Sequence, residues 1–179
     1  MSFLYFIPAR SGSKRIKNKN LAKLGGKPLI SYTLNICKKL EQNQNTVVST
    51  DDVRIKKLCI KQGFLKIHNR SKIVSKDDTS MADLIYDFLK SLTNEDLKKY
   101  KNLVVLQPTS PLRNNLDIEN CIYKLTETEC DTVIAITDAH RNPYFNMVKL
   151  NSDGIASKII SNNDIYRRQD APLVHDMTT

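Results

Sequence analysis

A three-layer α/β fold, a mainly parallel sheet with helices on both faces, is predicted by two observations. Short apolar runs rich in β-branched or aromatic residues recur along the 179-residue chain, and amphipathic segments at helical spacing separate them. Alternation of this kind joins parallel strands through helical crossovers that cover both faces of the sheet. A chain of this length can bury one sizeable core, so residues 1–179 are expected to form a single domain.

The expected strands are FLYFI (3–7), TVVST (46–50), LVVLQ (103–107) and TVIAIT (132–137), nearly continuous in apolar character as strands buried on both faces must be. After the first, Pro28 suits the opening turn of a helix, where its missing N–H has no partner to lose, and Ile30, Thr33, Leu34, Cys37 and Leu40 follow on one stripe. Asp51 or Asp52 can cap the free amides of the next helix, which carries Ile55, Leu58 and Cys59 on one face and stops near Gly63. Behind a Ser80 to Asp83 capping pair, Met81, Leu84, Ile85, Phe88 and Leu89 recur at helical spacing. A last stripe runs through Ile118, Cys121, Ile122 and Leu125.

Composition narrows the function classes. The 40% apolar and 26% charged fractions are those of an ordinary soluble globule. No apolar stretch reaches the roughly 18 residues of a membrane span, and MSFLYFIPAR has neither a basic leader nor a small-residue cleavage site, so a cytoplasmic protein with no membrane partner is expected. Cys37, Cys59, Cys121 and Cys130 lack Cys-x-x-Cys spacing and are expected to be reduced thiols. His68, His140 and His175 lie far apart and without metal-ligand spacing, as surface or hydrogen-bonded polar positions do.

The net charge of +9 admits nucleic acid, a membrane surface or small acidic ligands. Much of it is Lys in scattered pairs, but IPARSGSKRIKNKNL (7–21) crowds five Lys or Arg side chains into ten positions at the end of the first strand. Open α/β sheets bind ligands at the carboxyl ends of their strands. This loop lacks both G-x-G-x-x-G and the P-loop spacing, yet Gly12 permits a tight turn, Arg10 offers a fork and Lys14 a point charge, which together suit a polyphosphate. The plain alternative is a solvated loop in a Lys-rich chain. A non-catalytic nucleotide- or RNA-binding module is the rival from another class; the basic residues outside the loop form no single stripe and do not interleave with aromatics, so no nucleic-acid partner is expected.

These residues carry a resemblance. IPARSGSKRIKNKNLAKLGGKPLI (7–30) resembles the opening of the acylneuraminate cytidylyltransferases, the CMP-sialic acid synthetases, in its P-A-R-x-x-S-K, its Lys-Asn pair and its G-K-P-L. VVSTDD (47–52), LQPTSPLR (106–113) and RRQDAP (167–172) resemble later segments of the same family in order. The resemblance implies a Rossmann-like nucleotidyltransferase fold of the nucleotide-diphospho-sugar transferase type. It also implies an enzyme that joins CMP from CTP to an acidic nine-carbon (nonulosonic) sugar, releasing pyrophosphate with the help of Mg²⁺ and activating the sugar for surface glycan synthesis.

By the same resemblance Arg10, Ser13 and Lys14 belong to the phosphate-binding loop, Lys19 touches the triphosphate, and Asn20 braces the loop. Arg10 and Lys19 would carry the catalytic charge stabilisation. Arg70 and Ser80 match positions near the cytosine and the substrate cleft, and Gln107 a residue that helps hold the sugar. Arg168 falls in a segment assigned to the sugar, as do Asp176 and Thr178, which stand about where sialic-acid-specific members have an Arg and an Asn. An acid in place of a cation is expected to change which sugar tail is accepted. Family members continue into a further strand and an acidic metal-ligating segment, so this chain is expected to lack a C-terminal part, its metal ligands are left unknown, and a homodimer is expected of the complete form. The rival within the class is the cytidylyltransferase for the eight-carbon sugar Kdo, disfavoured because those enzymes show S-T-R where this chain has Ser-Lys-Arg and an acid where it has Gln107.

Overall fold

The computed structural model describes residues 2–13, 15–71, 73–75, 79–161 and 165–178. In chain order the elements are β1 (Phe3–Pro8), a tight hairpin of β2 (Lys23–Leu24) and β3 (Lys27–Pro28), α1 (Leu29–Lys39), β4 (Thr46–Thr50), α2 (Val53–Lys61), β5 (Lys66–Asn69), α3 (Met81–Lys90), α4 (Asn94–Lys99), β6 (Asn102–Val105), α5 (Asn115–Glu127), β7 (Ile136–Asp138), β8 (Val148–Leu150), β9 (Ala156–Lys158) and β10 (His175–Met177). They fall into two compact units, Met1–Asn120 and Cys121–Thr178, the division lying within α5.

The first unit is built on a four-stranded parallel sheet in the order β5-β4-β1-β6. Leu4 to Ile7 of β1 are all buried, as a central strand covered on both faces requires. Alternation sends Leu4 and Phe6 to one face, where they meet Val47, Val74, Leu84 and Phe88, the last two from α3. Tyr5 points the other way, toward Cys37 of α1 and Glu119 of α5. The chain runs outward from β1 through β4 to β5 and then places β6 on the far side of β1, so the strand order reverses between β1 and β6. Such a reversal opens a crevice at the strands' carboxyl ends.

Local chemistry sets the boundaries. Pro28 is the N-cap of α1, one residue before the helix proper. Asp52, not Asp51, caps α2, its carboxylate accepting from the Arg54 amide at 2.8 Å. Ser80 caps α3 by accepting from the Asp83 amide at 3.0 Å. The β2–β3 hairpin turns at Gly25 and Gly26, both at positive φ (53° and 82°), and the Tyr32 hydroxyl donates to the Leu24 carbonyl at 2.6 Å, so a side chain on Gly25 would meet that hydroxyl at 3.1 Å.

The second unit holds two antiparallel pairs, β7 with β10 and β8 with β9. The strand expected over 132–137 is therefore corrected. Of its residues only Ile136 and Thr137 enter a ladder, as the first two of β7, and that ladder is antiparallel and exposed rather than part of the parallel sheet. Ile134 and Ile136 are 55% and 53% exposed. An apolar run marks a segment as extended without fixing which ladder it joins; the Thr178 amide and hydroxyl both donate to the Ala135 carbonyl, at 2.9 and 3.0 Å, and tie this segment to its antiparallel partner.

Candidate functional site: a cationic cleft at the strand ends

One cleft of the first unit gathers residues from across the chain. It is lined by Pro8 and Arg10 after β1, by Ser13, Lys19 and Asn20 of the same loop, by Arg70 after β5, by Ser80 and Met81 at the start of α3, and by Gln107 after β6. Seven of the residues singled out from the sequence, Arg10, Ser13, Lys19, Asn20, Arg70, Ser80 and Gln107, thus share one wall. Lys14 lies outside the described residues. Arg168, Asp176 and Thr178 belong to the second unit. There Arg168 opens a single 3-10 turn, Asp176 sits opposite Thr137 in the ladder, and the Thr178 hydroxyl is spent on Ala135. Arg167 pairs with Asp170 at 2.8 Å.

The loop is anchored at both ends. The Asn20 side-chain amide donates to the Arg10 carbonyl at 2.9 Å, and Asn20 itself is buried. At the other anchor the Asp51 carboxylate receives the Ser11 amide at 2.7 Å and the Ser11 hydroxyl at 2.5 Å. Burial pushes the Asp51 carboxyl up, but the bonds from the Ser11 hydroxyl and amide outweigh it and hold the group below its ordinary value. The role of Asp51 was legible only through register. β1 and β4 run parallel with Pro8 opposite Ser49, so residues just past the two strands must meet.

Electrostatics give the cleft its sign. Arg10, Lys19 and Arg70 line it, and no carboxylate is among the described lining residues. Burial pushes the Arg70 guanidinium down to about 10, Asp51 opposes that shift, Arg10 adds to it and Asp87 opposes it again. Arg70 stays charged at neutral pH, and the push from Arg10 shows two cations converging on one space. An anion entering that space relieves their repulsion. Behind Arg70, buried Ser49 accepts its Nε–H at 2.9 Å and meets His68 Nδ1 at 3.0 Å, while His68 Nε2 lies 3.4 Å from Asp87. His68, expected to be a surface or satisfied polar position, is the second kind, being only 8% exposed.

Burial lowers the pKa of His68, Asp87 opposes that shift and Arg70 adds to it. The folded value lies below the unfolded value of about 6.5, so between the two the unfolded chain binds more protons than the folded one. The contribution of His68 to stability is therefore intact above about pH 6.5 and is lost as the pH falls through the window below it. Urea midpoints at pH 7.5 and 5.5 check this. His68→Asn should flatten the difference, and an unchanged difference would assign it to another group.

A parallel α/β unit with a switch-point crevice lined by cations is of the kind suited to anionic, phosphate-type ligands. The chain belongs to the cytidylyltransferase family, whose sequence model matches residues 4–177. It is 32% identical over 173 residues to post-translational flagellin modification protein B of Campylobacter coli, covering 96% of this chain and 72% of that protein. It is 30% identical over 172 residues to the N-acylneuraminate cytidylyltransferase of Streptococcus agalactiae serotype V, covering 95% of this chain but 40% of that one. With the CMP-N,N'-diacetyllegionaminic acid synthase of Legionella pneumophila it shares 34% over 128 residues, 70% of this chain and 55% of the relative. The chain thus spans well under two thirds of two of these three relatives. Among solved structures, 4-diphosphocytidyl-2C-methyl-D-erythritol synthase from Anaerococcus prevotii superimposes with a TM-score of 0.65 at 16% identity, over 99% of this chain and 67% of that one. A CMP:2-keto-3-deoxy-manno-octonic acid synthetase complexed with CTP gives 0.58 at 19%, over 99% and 72%. At such identities these two bear on the fold alone.

Proposed function

We propose that the chain is the nucleotide-binding part of a CTP-dependent nonulosonate cytidylyltransferase, transferring CMP from CTP to an acidic nine-carbon sugar with release of pyrophosphate. The observation that carries the reading is the cleft itself, where Arg10, Lys19 and Arg70 line one wall at the strand ends with no carboxylate among the described residues beside them. Relatives named for N-acylneuraminate, legionaminic acid and pseudaminic acid support the substrate class.

In this reading the anomeric hydroxyl of the sugar attacks the α-phosphorus, the bond to the β-phosphate oxygen breaks, and pyrophosphate leaves. Negative charge grows on the α-phosphate oxygens and on the leaving group. Arg10 and Lys19 are fixed cations set to stabilise it, Ser13 and Lys14 add donors to the phosphates, and Asn20 keeps the Arg10 backbone in place. Arg70 and Ser80 face the nucleotide, with the Ser80 hydroxyl also capping α3. Gln107 presents a donor and an acceptor to the sugar.

Mg²⁺ is proposed as the counter-ion that arrives on the triphosphate. The described residues are a poor fit for a protein-held ion: no group of three or more possible ligands is found among them. Asp51 is occupied by Ser11, and Asp52 by Arg54 at 2.7 Å.

Arg168, Asp176 and Thr178 are proposed to meet the sugar's tail. Asp176 has no compensating bond from Arg167, which is held by Asp170. A sugar whose tail carries acylamino groups and fewer hydroxyls, of the legionaminic type, is therefore expected to be used better than N-acetylneuraminate. Comparing kcat/KM for N-acetylneuraminate, legionaminic acid and pseudaminic acid decides the point, and a clear preference for N-acetylneuraminate would overturn it.

The Kdo reading is the less favoured one, because Gln107 is neutral where an acid is expected of it. A cytoplasmic location, a homodimer and the absence of a nucleic-acid partner complete the proposal. The four cysteines are free, and no helix of the described residues is long and apolar enough to cross a membrane. Pyrophosphate release with CTP, Mg²⁺ and each sugar tests the activity. Calorimetric titration with CTP beside filter binding of single-stranded RNA tests the partner; tight RNA binding with no CTP binding would replace the proposal with a nucleic-acid module.

A further inference from the structure

Behind the cleft, two hydrogen bonds run from His68 through Ser49 to Arg70, and Asp87 lies 3.4 Å from the far nitrogen of the ring. Ser49 is fully buried and His68 nearly so, and Asp87 closes the chain from α3 with a side chain 31% exposed. The order Ser-His-Asp is that of a hydrolytic triad, but a fully buried Ser49 cannot reach a substrate, and its hydroxyl oxygen already accepts the Arg70 Nε–H at 2.9 Å. On the other side of the ring Nε2 faces Asp87 Oδ2 at 3.4 Å, and a carboxylate can only accept, so the proton of the neutral ring belongs on Nε2. Nδ1 then carries a lone pair and accepts the Ser49 O–H across their 3.0 Å contact. The ring is held edge-on to Phe88, centroids 5.4 Å apart, and tilted against Phe6 at 6.4 Å.

We propose that Ser49, His68 and Asp87 are positioning residues that hold Arg70 in one orientation at the cleft wall, with His68 fixed as its neutral Nε2–H tautomer, leaving the Nη groups of Arg70 for the bound nucleotide. An Arg side chain has many rotamers, and the two depressions that share Arg70, the cleft and a second one lined by Thr50, Asp51, Lys56, Asn69 and Ser75, offer its head two places to lie. The bond through Nε removes that freedom without using the Nη donors. Each member also limits the next: losing Asp87 frees the ring proton, a Nδ1–H tautomer leaves the buried Ser49 O–H without its acceptor, and the hydroxyl that must find another no longer holds Arg70 in one place.

The proposal rests on the nucleotide-binding reading for its ligand, so its test has one arm that needs no ligand. Long-range ¹H–¹⁵N spectra of the free protein should show His68 as the Nε2–H tautomer at pH 7.5, and the Arg70 Nε–H as a slowly exchanging resonance that disappears in Ser49→Ala. In the second arm, Ser49→Ala should weaken CTP binding by about tenfold, while in an Arg70→Lys background the same change should have almost no further effect. Ser49→Thr, which keeps the hydroxyl, should recover the Arg70 resonance. A packing role alone would give equal losses in both backgrounds, and that result, or an Nδ1–H tautomer, overturns the proposal. Should Ser49→Ala unfold, Asp87→Ala takes its place, with a smaller loss expected in the Arg70 background and none in Arg70→Lys. If the wild-type protein fails to bind CTP, the nucleotide reading falls, and the positioning role stands or falls on the tautomer and the Arg70 resonance.

Discussion

Lys19→Ala and Arg10→Ala are each expected to slow turnover of CTP by tens to hundreds of times, the equivalent of about 2–4 kcal/mol of lost transition-state stabilisation. Both side chains line a cleft with no carboxylate among its described lining residues, so truncating either one removes positive charge directly from the site. Arg10→Lys should fall between, because a point charge keeps the attraction but loses the fork. Raising ionic strength should weaken CTP binding to the wild type and do so less in the truncated variants, since partly exposed charges are screened over about 10 Å at 0.1 M salt. Turnover and affinity unchanged in both variants would remove the loop from the site.

Phe88→Ala is expected to cost about 3–5 kcal/mol of folding stability, a large part of the roughly 5–15 kcal/mol a domain possesses. Phe88 is 1% exposed and stacks on Phe6 of the central strand, with ring centroids 4.5 Å apart and planes 26° from parallel. Truncation removes that pair, opens a cavity between α3 and the sheet, and leaves the His68 ring without its edge contact. A urea titration with an unchanged slope and a lowered midpoint would report it. A loss under about 1 kcal/mol would mean that the surrounding side chains collapse into the space.

β1, β4 and most of β6 were legible in the sequence because a strand covered on both faces has to be apolar at nearly every position. β5 was not, since KIHN holds one aliphatic residue and reads as loop; it is an edge strand, paired on one side only, and its identity comes from the ladder with β4. The hairpin over 23–28 passed unnoticed because its two-residue strands are too short to show alternation, although Gly25-Gly26 marked the turn. In the site, the cationic side chains announced themselves by density, whereas Ser11, Ser49, Asp51 and His68 did not. Their roles are pairwise and depend on which strands lie side by side, which no local pattern encodes. Asp51 and Asp52 look interchangeable in the sequence, yet one anchors the neighbouring loop and the other caps its own helix.

The two anchors of the loop after β1 bear on how fast a ligand is captured. Arg10 is tethered through its carbonyl by Asn20, and Ser11 is clasped by Asp51, so the backbone that starts the loop is set before anything arrives. A site that must first organise itself shows slow, conformationally limited association and a large ordering entropy; one whose charged wall is already in place is limited by encounter. Stopped-flow mixing with CTP should therefore give an observed rate that rises linearly with nucleotide concentration, without a plateau, and that falls steeply as salt is added.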